Sequence, residues 1–421
     1  MKYCFPIFFL FFLLASNSQA QSESLTDSIP KSFFLKALEN GYVETKYFDF
    51  DLRYLIKYNP YEGFRTGIGG ITNSNLSEMF RVEGYTVYGF LDEEFKYSIG
   101  VGFRLVKETN TWLNANYTDD LQETGSSIFL TDQRFFQLFE PRLINIESFF
   151  KHNTKAVSIE HQFSPKILIE TQFAHSKIDP KFNYNYNHED LGIIENYKLS
   201  LLTISAQLSP FSKFEQTPSG IAETKNGFPK FTLQYIKSFF NLFKSDFGFS
   251  KLDLRTIQQF KHQKGAFTEF VFSGGLSNGD VPITHAYHAY PNNVSKETIL
   301  QRFSVAGTNS FETMYFNEFY SDRLITIQMK HKLSPIKISP WLKPELVFIY
   351  KYALGNMNNI SRHENINFST LEHGFSEAGL EINKLFFGFG LSFAYRHGAY
   401  HLPRFDDNLA LKFTFNLSLN R

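Results

Sequence analysis

The last stretch of the chain, Leu409 to Leu419, alternates strictly between apolar residues and small or polar ones. Leucine and phenylalanine occupy every second position, and residues such as Lys412 and Thr414 lie between them. Strict alternation places the two sets on opposite faces of one β-strand. The length is close to the roughly 9–11 residues that a tilted strand needs to cross a bilayer. Soluble sandwiches contain shorter strands of the same kind. The rest of the chain must therefore distinguish a membrane-spanning strand from a strand of a soluble protein.

The same alternation recurs upstream and predicts an up-and-down series of strands. From Glu94 to Val106, for example, apolar residues that include Phe95 alternate with polar or small ones that include Lys96. The predicted fold class is all-β: a transmembrane antiparallel up-and-down β-barrel of about 16 strands, an even number as in single-chain bacterial barrels. The predicted strands cover residues 63–72, 80–90, 94–106, 111–119, 143–150, 156–163, 166–173, 198–208, 231–239, 247–260, 267–276, 324–333, 344–354, 375–384, 387–396 and 409–419.

The lengths of the predicted connections fit this fold. With the C-terminus in the periplasm, the opposite turns are short and the external loops are long, as in outer-membrane barrels. The longest external loop, residues 277–323, lies between strands 11 and 12, and residues 355–373 and 397–407 are also external. Connectors 120–142 and 209–229 depart from this pattern, because both are long and yet fall on the periplasmic side. An open sheet edge in lipid would leave backbone groups unpaired, so the last strand is expected to pair with Gly63–Thr72.

Composition and the N-terminus indicate an exported protein. Lys and Arg together (42) balance Asp and Glu (42), so no basic surface suggests a nucleic-acid partner. The 50 Phe and 22 Tyr residues suit a barrel that presents aromatic side chains to lipid. The N-terminus has Lys2, an apolar core from Phe5 to Ala15 and small residues up to Ala20. This order is typical of a secretory signal peptide.

We therefore expect a signal peptide at residues 1–20, a short periplasmic N-terminal segment at 21–62 and an outer-membrane β-barrel at 63–421. Cys4 is the only cysteine and lies in the segment that is removed, so no disulfide or cysteine metal site is expected. No later apolar run approaches the roughly 18 residues of a membrane helix. The expected partners are outer-membrane lipid and a separate periplasmic protein, with no nucleic acid, and a monomer is expected.

One loop motif, GTNSFETMYFNEFYSD (Gly307 to Asp322), resembles the barrel of the bacterial surface-antigen superfamily. Members of that superfamily are outer-membrane assembly factors and two-partner secretion transporters. The resemblance implies a sixteen-stranded barrel whose sixth external loop folds into the lumen, where an Arg-Gly-aromatic tip meets an acidic residue. This chain departs from the pattern, because Glu312-Thr313-Met314 stands where Arg-Gly-aromatic is expected.

Across nearly the whole mature chain, the sequence also resembles a family of uncharacterised outer-membrane barrels. Those barrels usually follow a carboxypeptidase-regulatory-like domain, so this chain resembles a barrel-only member. The resemblance implies no known activity. The motifs that carry it are NPYEGFRTGIGGITN (59–73), VYGFLDEEFKYSIG (87–100), FETMYFNEFYSDR (311–323) and GFSEAGLEINKLFF (374–387).

The loop motif also supplies the candidate site. We hypothesise that Glu312 reaches an inward basic residue, Lys351 or Lys343, inverting the charge pair of the superfamily; the alternative is that Glu312 is a solvated loop residue. Inward charges on the predicted strands are mixed in sign, which favours a neutralised lumen network over a selective pore. The full set of lumen and loop candidates is Phe311, Glu312, Thr313, Met314, Lys343, Glu345 and Lys351.

Other polar groups give weaker indications of chemistry. His285 and His288 lack a fixed third metal ligand. His397 and His401 flank Asp406-Asp407, which suggests a hydrolase triad, but no nucleophile motif accompanies them. We expect an outer-membrane barrel of the assembly-factor or translocator type, in transport or envelope organisation, without catalytic residues, metal or cofactor. The alternatives are a barrel hydrolase acting on lipid or protein, and a plugged structural or adhesive barrel.

Overall fold

The alternating stretches form one mostly antiparallel sheet of nineteen strands. The computed structural model of the protein describes residues 37, 41–134, 141–217, 220–294, 304–339, 342–386 and 388–415. The predicted signal peptide, residues 1–20, lies outside the described residues, as do the last residues of the predicted final strand. Residues from Ala37 onward belong to one compact unit.

The strands are numbered in chain order. They are β1 (Tyr42–Glu44), β2 (Phe48–Asp51), β3 (Ile56–Asn59), β4 (Gly63–Thr72), β5 (Phe80–Gly89), β6 (Phe95–Val106), β7 (Thr111–Glu123), β8 (Phe149–Ser164), β9 (Ile167–Pro180), β10 (Asn185–His188), β11 (Gly192–Ile194), β12 (Tyr197–Leu208), β13 (Lys213–Thr217), β14 (Gly220–Lys225), β15 (Lys230–Ser238), β16 (Phe249–Lys261), β17 (Phe267–Gly279), β18 (Pro291–Asn293), β19 (Ser304–Val305), β20 (Phe311–Tyr315), β21 (Arg323–Lys332), β22 (Glu345–Asn356), β23 (His363–Glu364), β24 (Phe375–Phe386), β25 (Phe389–Gly398) and β26 (Leu409–Phe415). Short 3-10 turns lie at residues 52–54, 130–134, 141–145, 242–244, 263–265, 283–285, 360–362 and 405–408.

Sixteen long strands form the wall, and the first of them is interrupted. Both β2 and β3 pair with β4, on either side of the 3-10 turn at residues 52–54, so together they make one wall strand. The wall then continues through β4–β9, β12, β15–β17, β21, β22 and β24–β26. The predicted fold class is confirmed, with the longest loop between the eleventh and twelfth wall strands.

The N-terminal limits of the wall differ from those expected. The sheet extends into the 21–62 segment that the sequence assigned to the periplasm, because residues 48–50 and 56–59 pair with β4. The predicted strand 143–150 is wrong, since residues 141–145 form a 3-10 turn and β8 is one strand from Phe149 to Ser164. Its polar residues 151–154 interrupt the apolar alternation without interrupting the strand, because the wall extends past its apolar band there. The added first strand, β2 with β3, offsets the loss of the predicted strand 143–150, so the number of wall strands stays at sixteen.

Because the wall begins one strand earlier than predicted, the first of the two long connectors that were expected on the periplasmic side lies at the opposite end of the wall. Residues 124–148 now leave the same end of the wall as the long connections 181–196, 280–322, 357–374 and 399–408, which we call the long-loop end. Connector 209–229 remains at the opposite, short-turn end, where it folds into the β13–β14 hairpin. Lys230 holds this hairpin through an ion pair of 2.6 Å with Glu223.

The predicted pairing of the last strand with Gly63–Thr72 is wrong. One edge of β4 is occupied by β2 and β3, and the other edge by β5. Among the described residues, β26 pairs with β25 on one edge and with the short segment β19 on the other. The two-residue β19 runs parallel to β26 and comes from the 280–322 connection.

The wall buries its polar face and exposes its apolar face. On β6, the Phe95 side chain is 65% exposed, whereas the neighbouring Lys96 is fully buried in the interior. Lys96 forms an ion pair of 3.0 Å with Glu62, and Arg65 pairs with Asp120 at 2.7 Å. Such an inverted pattern is characteristic of a barrel whose outer surface contacts lipid. In the described parts of the chain, no helix is both long and apolar enough to span a membrane.

Connections at the long-loop end pack into a small core of their own, which we call the dome. It includes the three-stranded sheet of β10, β11 and β23. Its buried side chains come from several connections and from wall strands at the long-loop end. Among them are Tyr184, Tyr186, Tyr197, Phe247, Ile283, Tyr320 and Met357.

Candidate functional site

The described residues of the 280–322 connection, 280–294 and 304–322, fold inward against the wall. Within it, β20 pairs in parallel with β18. Gln328 on β21 donates a hydrogen bond of 2.7 Å to the Asn309 carbonyl, and Arg396 on β25 donates bonds of 2.6 and 3.0 Å to Glu318. The segment 304–318, here called the inserted segment, therefore contacts inward-facing side chains across the wall from β21 to β26.

Glu312 lies at the centre of these contacts and is 3% exposed. Its carboxylate is 3.1 Å from the Lys412 ammonium and 3.9 Å from that of Lys351. It also accepts hydrogen bonds of 2.7 Å from the Ser310 hydroxyl and from the Asn292 amide. The sequence alternative of a solvated Glu312 does not fit this burial. Burial raises the pKa of Glu312, but Lys412 and Lys351 outweigh it and hold that pKa below the ordinary value.

Lys351 connects Glu312 to a second buried carboxylate. Its ammonium lies 3.3 Å from Glu377 and donates a hydrogen bond to the Ser310 carbonyl. Glu377 in turn accepts bonds of 2.7 Å from both the backbone amide and the hydroxyl of Thr313. Two carboxylates and two ammonium groups thus form a neutral buried cluster, here called the four-charge cluster (Glu312, Lys351, Glu377 and Lys412). Such a cluster specifies one position for the loop, because any displacement leaves a buried charge unpaired.

The apolar candidates anchor the other side of β20. Phe311 and Met314 are fully buried in a core cluster that also contains Tyr287, Phe319 and Phe375. The Phe311 and Phe375 rings meet edge to face at 5.6 Å between centroids. The charges and the apolar groups of the FETM motif therefore fix the same short strand.

Two candidates lie away from the cluster. Lys343 is exposed in the 333–344 connection at the short-turn end. Glu345 pairs with Lys332 at 3.2 Å and with Lys384 at 3.0 Å, both of which are wall residues. These ion pairs involve the wall alone.

Sequence reasoning missed four charged residues of these contacts: Lys412, Glu377, Arg396 and Glu318. Lys412 is the only charge in the alternating final strand and lies on the face opposite its leucine and phenylalanine side chains, so its position was a usable signal. Glu377 stands in the GFSEAGLEINKLFF motif, but nothing local indicated its partners. These contacts join residues far apart in sequence, and pattern alone cannot assign them.

The described residues of a second connection, 124–134 and 141–148, also lie against the inner face. Arg255 pairs with Asp132, and the Gln234 amide donates a hydrogen bond of 3.0 Å to the Ile128 carbonyl. Arg142 joins this connection to its neighbours, because it pairs with Glu123 and donates a bond of 3.1 Å to the Pro291 carbonyl.

The edge of the last wall strand is covered by the inserted segment. In the parallel pairing of β19 with β26, Ser304 lies opposite Lys412 and Val305 opposite Phe413. The Val305 carbonyl accepts a hydrogen bond of 2.9 Å from Asn145, on the 124–148 connection. Both connections therefore meet beside β26.

The histidine candidates have ordinary polar partners. His288 lies 3.0 Å from Glu123, and His285 lies 2.8 Å from the Thr284 hydroxyl. His401 lies 3.0 Å from the Tyr395 hydroxyl, and Asp406 pairs with Arg404 at 2.8 Å on an exposed surface. Within the described residues, no group of three or more His, Cys, Asp or Glu side chains is arranged to hold a metal ion.

Comparison with known proteins matches the chain to a family without an assigned activity. The model of a family of unknown function (DUF5686), C-terminal domain, matches residues 36–321. No curated protein matches the chain.

Solved structures of similar fold include BamA from Haemophilus ducreyi lacking POTRA domains 1-3, with a TM-score of 0.52, 9% identity and coverage of 85% of this chain and 68% of that one. A weaker match is CdiB from Acinetobacter baumannii, with a TM-score of 0.42, 11% identity and coverage of 85% of this chain and 57% of that one. This chain therefore spans little more than half the length of the CdiB chain. At such low identity the likeness concerns the fold alone. The expected resemblance to an uncharacterised family is confirmed, and the fold is similar to that of the BamA barrel.

Proposed function

The chain belongs to the DUF5686 family of unknown function, and we propose that it is an outer-membrane β-barrel of the assembly-factor and translocator type, acting in transport or envelope organisation. The observation that carries the proposal is the inserted segment, held against the inner wall by the four-charge cluster. A loop fixed in this way controls whether the lumen is open or closed. The exposed apolar outer face supports placement in a membrane.

The inner wall also has a polar surface that water can reach. Inward side chains of β7, including Asn114, Asn116 and Thr118, are only partly buried. The charged residues nearby are mixed in sign and already paired, for example Arg65 with Asp120 and Arg81 with Glu160 at 3.6 Å. Such a lining suits a passage without strong ion selectivity better than a selective pore. The inserted segment would then act as its movable obstruction.

Single-channel recording in planar bilayers tests this role. We expect rare openings for the unaltered barrel and frequent openings for Glu312→Gln, because that change leaves Lys412 and Lys351 facing a neutral amide. Glu345→Gln is the matched control, since it removes a carboxylate that pairs only within the wall. Heat-dependent migration on gels verifies that each protein is folded.

The alternative of a plugged structural or adhesive barrel is favoured by the same inserted segment. It predicts a different outcome for the recording. If folded Glu312→Gln and a folded variant with residues 304–315 replaced by a short flexible linker both stay silent, the lumen is not a conduit. Transport would then be abandoned in favour of the plugged barrel.

We also propose that the barrel is not an enzyme and works beside a separate periplasmic protein. The partners of His401 and Asp406 support the first point, because each is engaged with a surface side chain, Tyr395 or Arg404. Assays on lipid and protein substrates should give no hydrolysis above buffer. Hydrolysis that disappears in His401→Ala or Asp406→Ala would support the hydrolase alternative. Cross-linking in membranes, followed by identification of the attached chain, tests for the partner.

A further inference from the structure

Three lysines lie close together on the outward face of the wall, near the long-loop end. They are Lys155 on β8, Lys177 on β9 and Lys198 on β12. Lys177 stands directly opposite Lys198 in the strand register, and Lys155 stands opposite His175 on the same side of the sheet. Like charges directly opposite each other across strands are destabilising. The fold therefore places positive charges together where they repel.

Two carboxylates near these lysines, Asp179 and Asp246, have partners other than the three ammonium groups. Among the described residues, no ion pair joins Lys155, Lys177 or Lys198 to an acidic side chain. Asp179 pairs with Lys181 at 2.6 Å, and Asp246 accepts a hydrogen bond of 2.7 Å from the backbone amide of Lys198. The positive charge of the three ammonium groups is thus not neutralised by a direct ion pair.

The lysines occupy the level at which neighbouring strands carry aromatic side chains. Tyr117 on β7 lies directly opposite Lys155, and Ile99 on β6 lies opposite Tyr117. Tyr97, two residues nearer the long-loop end than Ile99, is exposed. Rings of this kind mark the boundary between lipid headgroups and acyl chains in membrane barrels. From β8 to β12 lysines replace the tyrosines of β6 and β7, so the charges lie at headgroup level.

The outward face continues as an apolar surface on the membrane side of the lysines. Val157 and Ile159 on β8 and Ile204 on β12 are exposed there. A phosphate held by the lysines would therefore have its acyl chains directed along apolar side chains.

The 239–248 connection adds an apolar side chain to the same surface. It folds back over the outside of the wall, where the Ser200 hydroxyl donates a hydrogen bond of 2.7 Å to the Leu242 carbonyl. The Phe243 ring is 64% exposed and lies 6.1 Å from the Phe173 ring and 6.0 Å from the His175 ring.

This connection is strained as well as exposed. Asn241, Phe243 and Lys244 have left-handed backbone angles, with φ of 63°, 52° and 62°. Strain of this kind in residues other than glycine is concentrated at binding and functional sites. The backbone conformation of the 239–248 connection presents Phe243 and the exposed Lys244 outward, close to the three lysines.

An open groove of about 470 Å³ lies at the lysine cluster. Its lining includes Lys177, Lys198, Asn153 and Tyr197, together with the engaged Asp179 and Asp246. The groove thus combines positive charge and hydrogen-bond donors, and apolar surface lies on its membrane side.

We propose that this surface binds the phosphorylated headgroup of a lipid in the surrounding leaflet. Lys177 and Lys198 neutralise the phosphate, Lys155 supports them, and Phe243 packs against the upper part of an acyl chain. Ammonium groups at a membrane surface attract anionic lipid, and charge-assisted hydrogen bonds to phosphate oxygens are strong. The inference rests on the proposed membrane placement but not on transport, so silence in the conductance experiment leaves it intact.

Native mass spectrometry of the full barrel tests the proposal. The barrel is reconstituted in phosphatidylcholine nanodiscs that contain a doubly phosphorylated glycolipid or its dephosphorylated form. We expect retention of the phosphorylated lipid alone, with retention reduced roughly thirtyfold in Lys177→Gln/Lys198→Gln. Lys166→Gln/Lys261→Gln is the matched control, because it removes two exposed lysines at the short-turn end. Heat-dependent gel migration checks the folding of both variants.

Two further arms separate lipid from free phosphate. Phe243→Ser should weaken lipid retention while leaving the lysines in place. Inorganic phosphate added to the barrel in detergent should compete poorly with the lipid; competition at equal concentration would identify a phosphate site and overturn lipid binding. Equal retention of both lipid forms, or equal retention by the two double variants, would also overturn the proposal.

Discussion

The carboxylate of Glu312 lies 3.1 Å from the ammonium of Lys412, joining the inserted segment to the last wall strand. These two residues are a hundred positions apart in the sequence, and both are buried. Removing one partner of a buried ion pair is costly, because the remaining charge has no water to solvate it. The pair should therefore be both a structural anchor and a control point for the lumen.

Glu312→Gln should lower the free energy of unfolding by about 3 kcal/mol, since Lys412 loses its carboxylate partner and Lys351 keeps one of its two carboxylates, Glu377. The measurement is heat-dependent gel migration or calorimetry in detergent. Glu78→Gln serves as the control, because Glu78 pairs with Lys107 on an exposed turn and should leave stability unchanged.

Exchanging the charges tests the pairing itself. Glu312→Lys and Lys412→Glu should each destabilise the barrel, and the double exchange should recover part of the loss. Recovery will be incomplete, because Ser310 and Asn292 are oriented to donate hydrogen bonds to a carboxylate at position 312. Losses that simply add would show that the pair does not stabilise the fold.

Gly275 on β17 makes room for the Tyr287 ring of the 280–322 connection. A Cβ added at Gly275 would lie 2.6 Å from that ring, whereas one at Gly274 would meet its nearest neighbour, the Phe272 ring, at 3.6 Å. Gly275→Ala should therefore displace Tyr287 and cost about 1–3 kcal/mol. Gly274→Ala should cost clearly less. Calorimetry of both proteins checks the difference, and equal losses would contradict the close packing of Tyr287.

Arg142 links the two inward-folded connections. Arg142→Ala leaves the Glu123 carboxylate without its arginine and the Pro291 carbonyl without its donor. We expect faster protease cleavage within residues 124–148. Mass spectrometry of the fragments identifies the cleavage sites. Arg404→Ala, which removes an exposed arginine beside Asp406, should leave the cleavage pattern unchanged.

The dome should loosen in acid because of His363. Burial, and then the charge of Arg362, lower the pKa of His363 to about 4, against about 6.5 for a free histidine. A lowered histidine pKa stabilises the fold above pH 6.5, and this contribution is lost as the pH falls towards 4. The loss arises because the unfolded dome binds the proton more readily.

Hydrogen exchange of residues 357–374 between pH 7 and 4.5 measures this effect after correction for the intrinsic exchange rate. The opening equilibrium should increase by up to roughly tenfold per pH unit. His363→Phe should show a weaker dependence. His285, whose pKa burial and then Lys251 and His152 lower to about 3, stays in both proteins and contributes equally. The same pH dependence in both would exclude His363 as its source.

Alternation in the sequence determined the fold class and most of the wall. It identified β6, β16, β17, β21, β22, β25 and β26 to within three residues at each described end, because inward and outward positions follow a local period of two. Alternation also indicated that Lys412 faces inward. It failed at Phe149–Ser164, where polar residues at the wall rim interrupted the pattern, and at the interrupted first strand.

The tertiary structure alone decided which edges meet and which charges pair. The β4 edge expected for β26 is occupied by β2 and β3, and β26 instead pairs with β25 and β19. Glu312 finds Lys412 only because the 280–322 connection folds inward along one path. That path depends on apolar packing of Phe311 and Met314 and on hydrogen bonds between distant segments. A strand's period describes its two faces, whereas the partner of a loop carboxylate depends on the position of the whole wall.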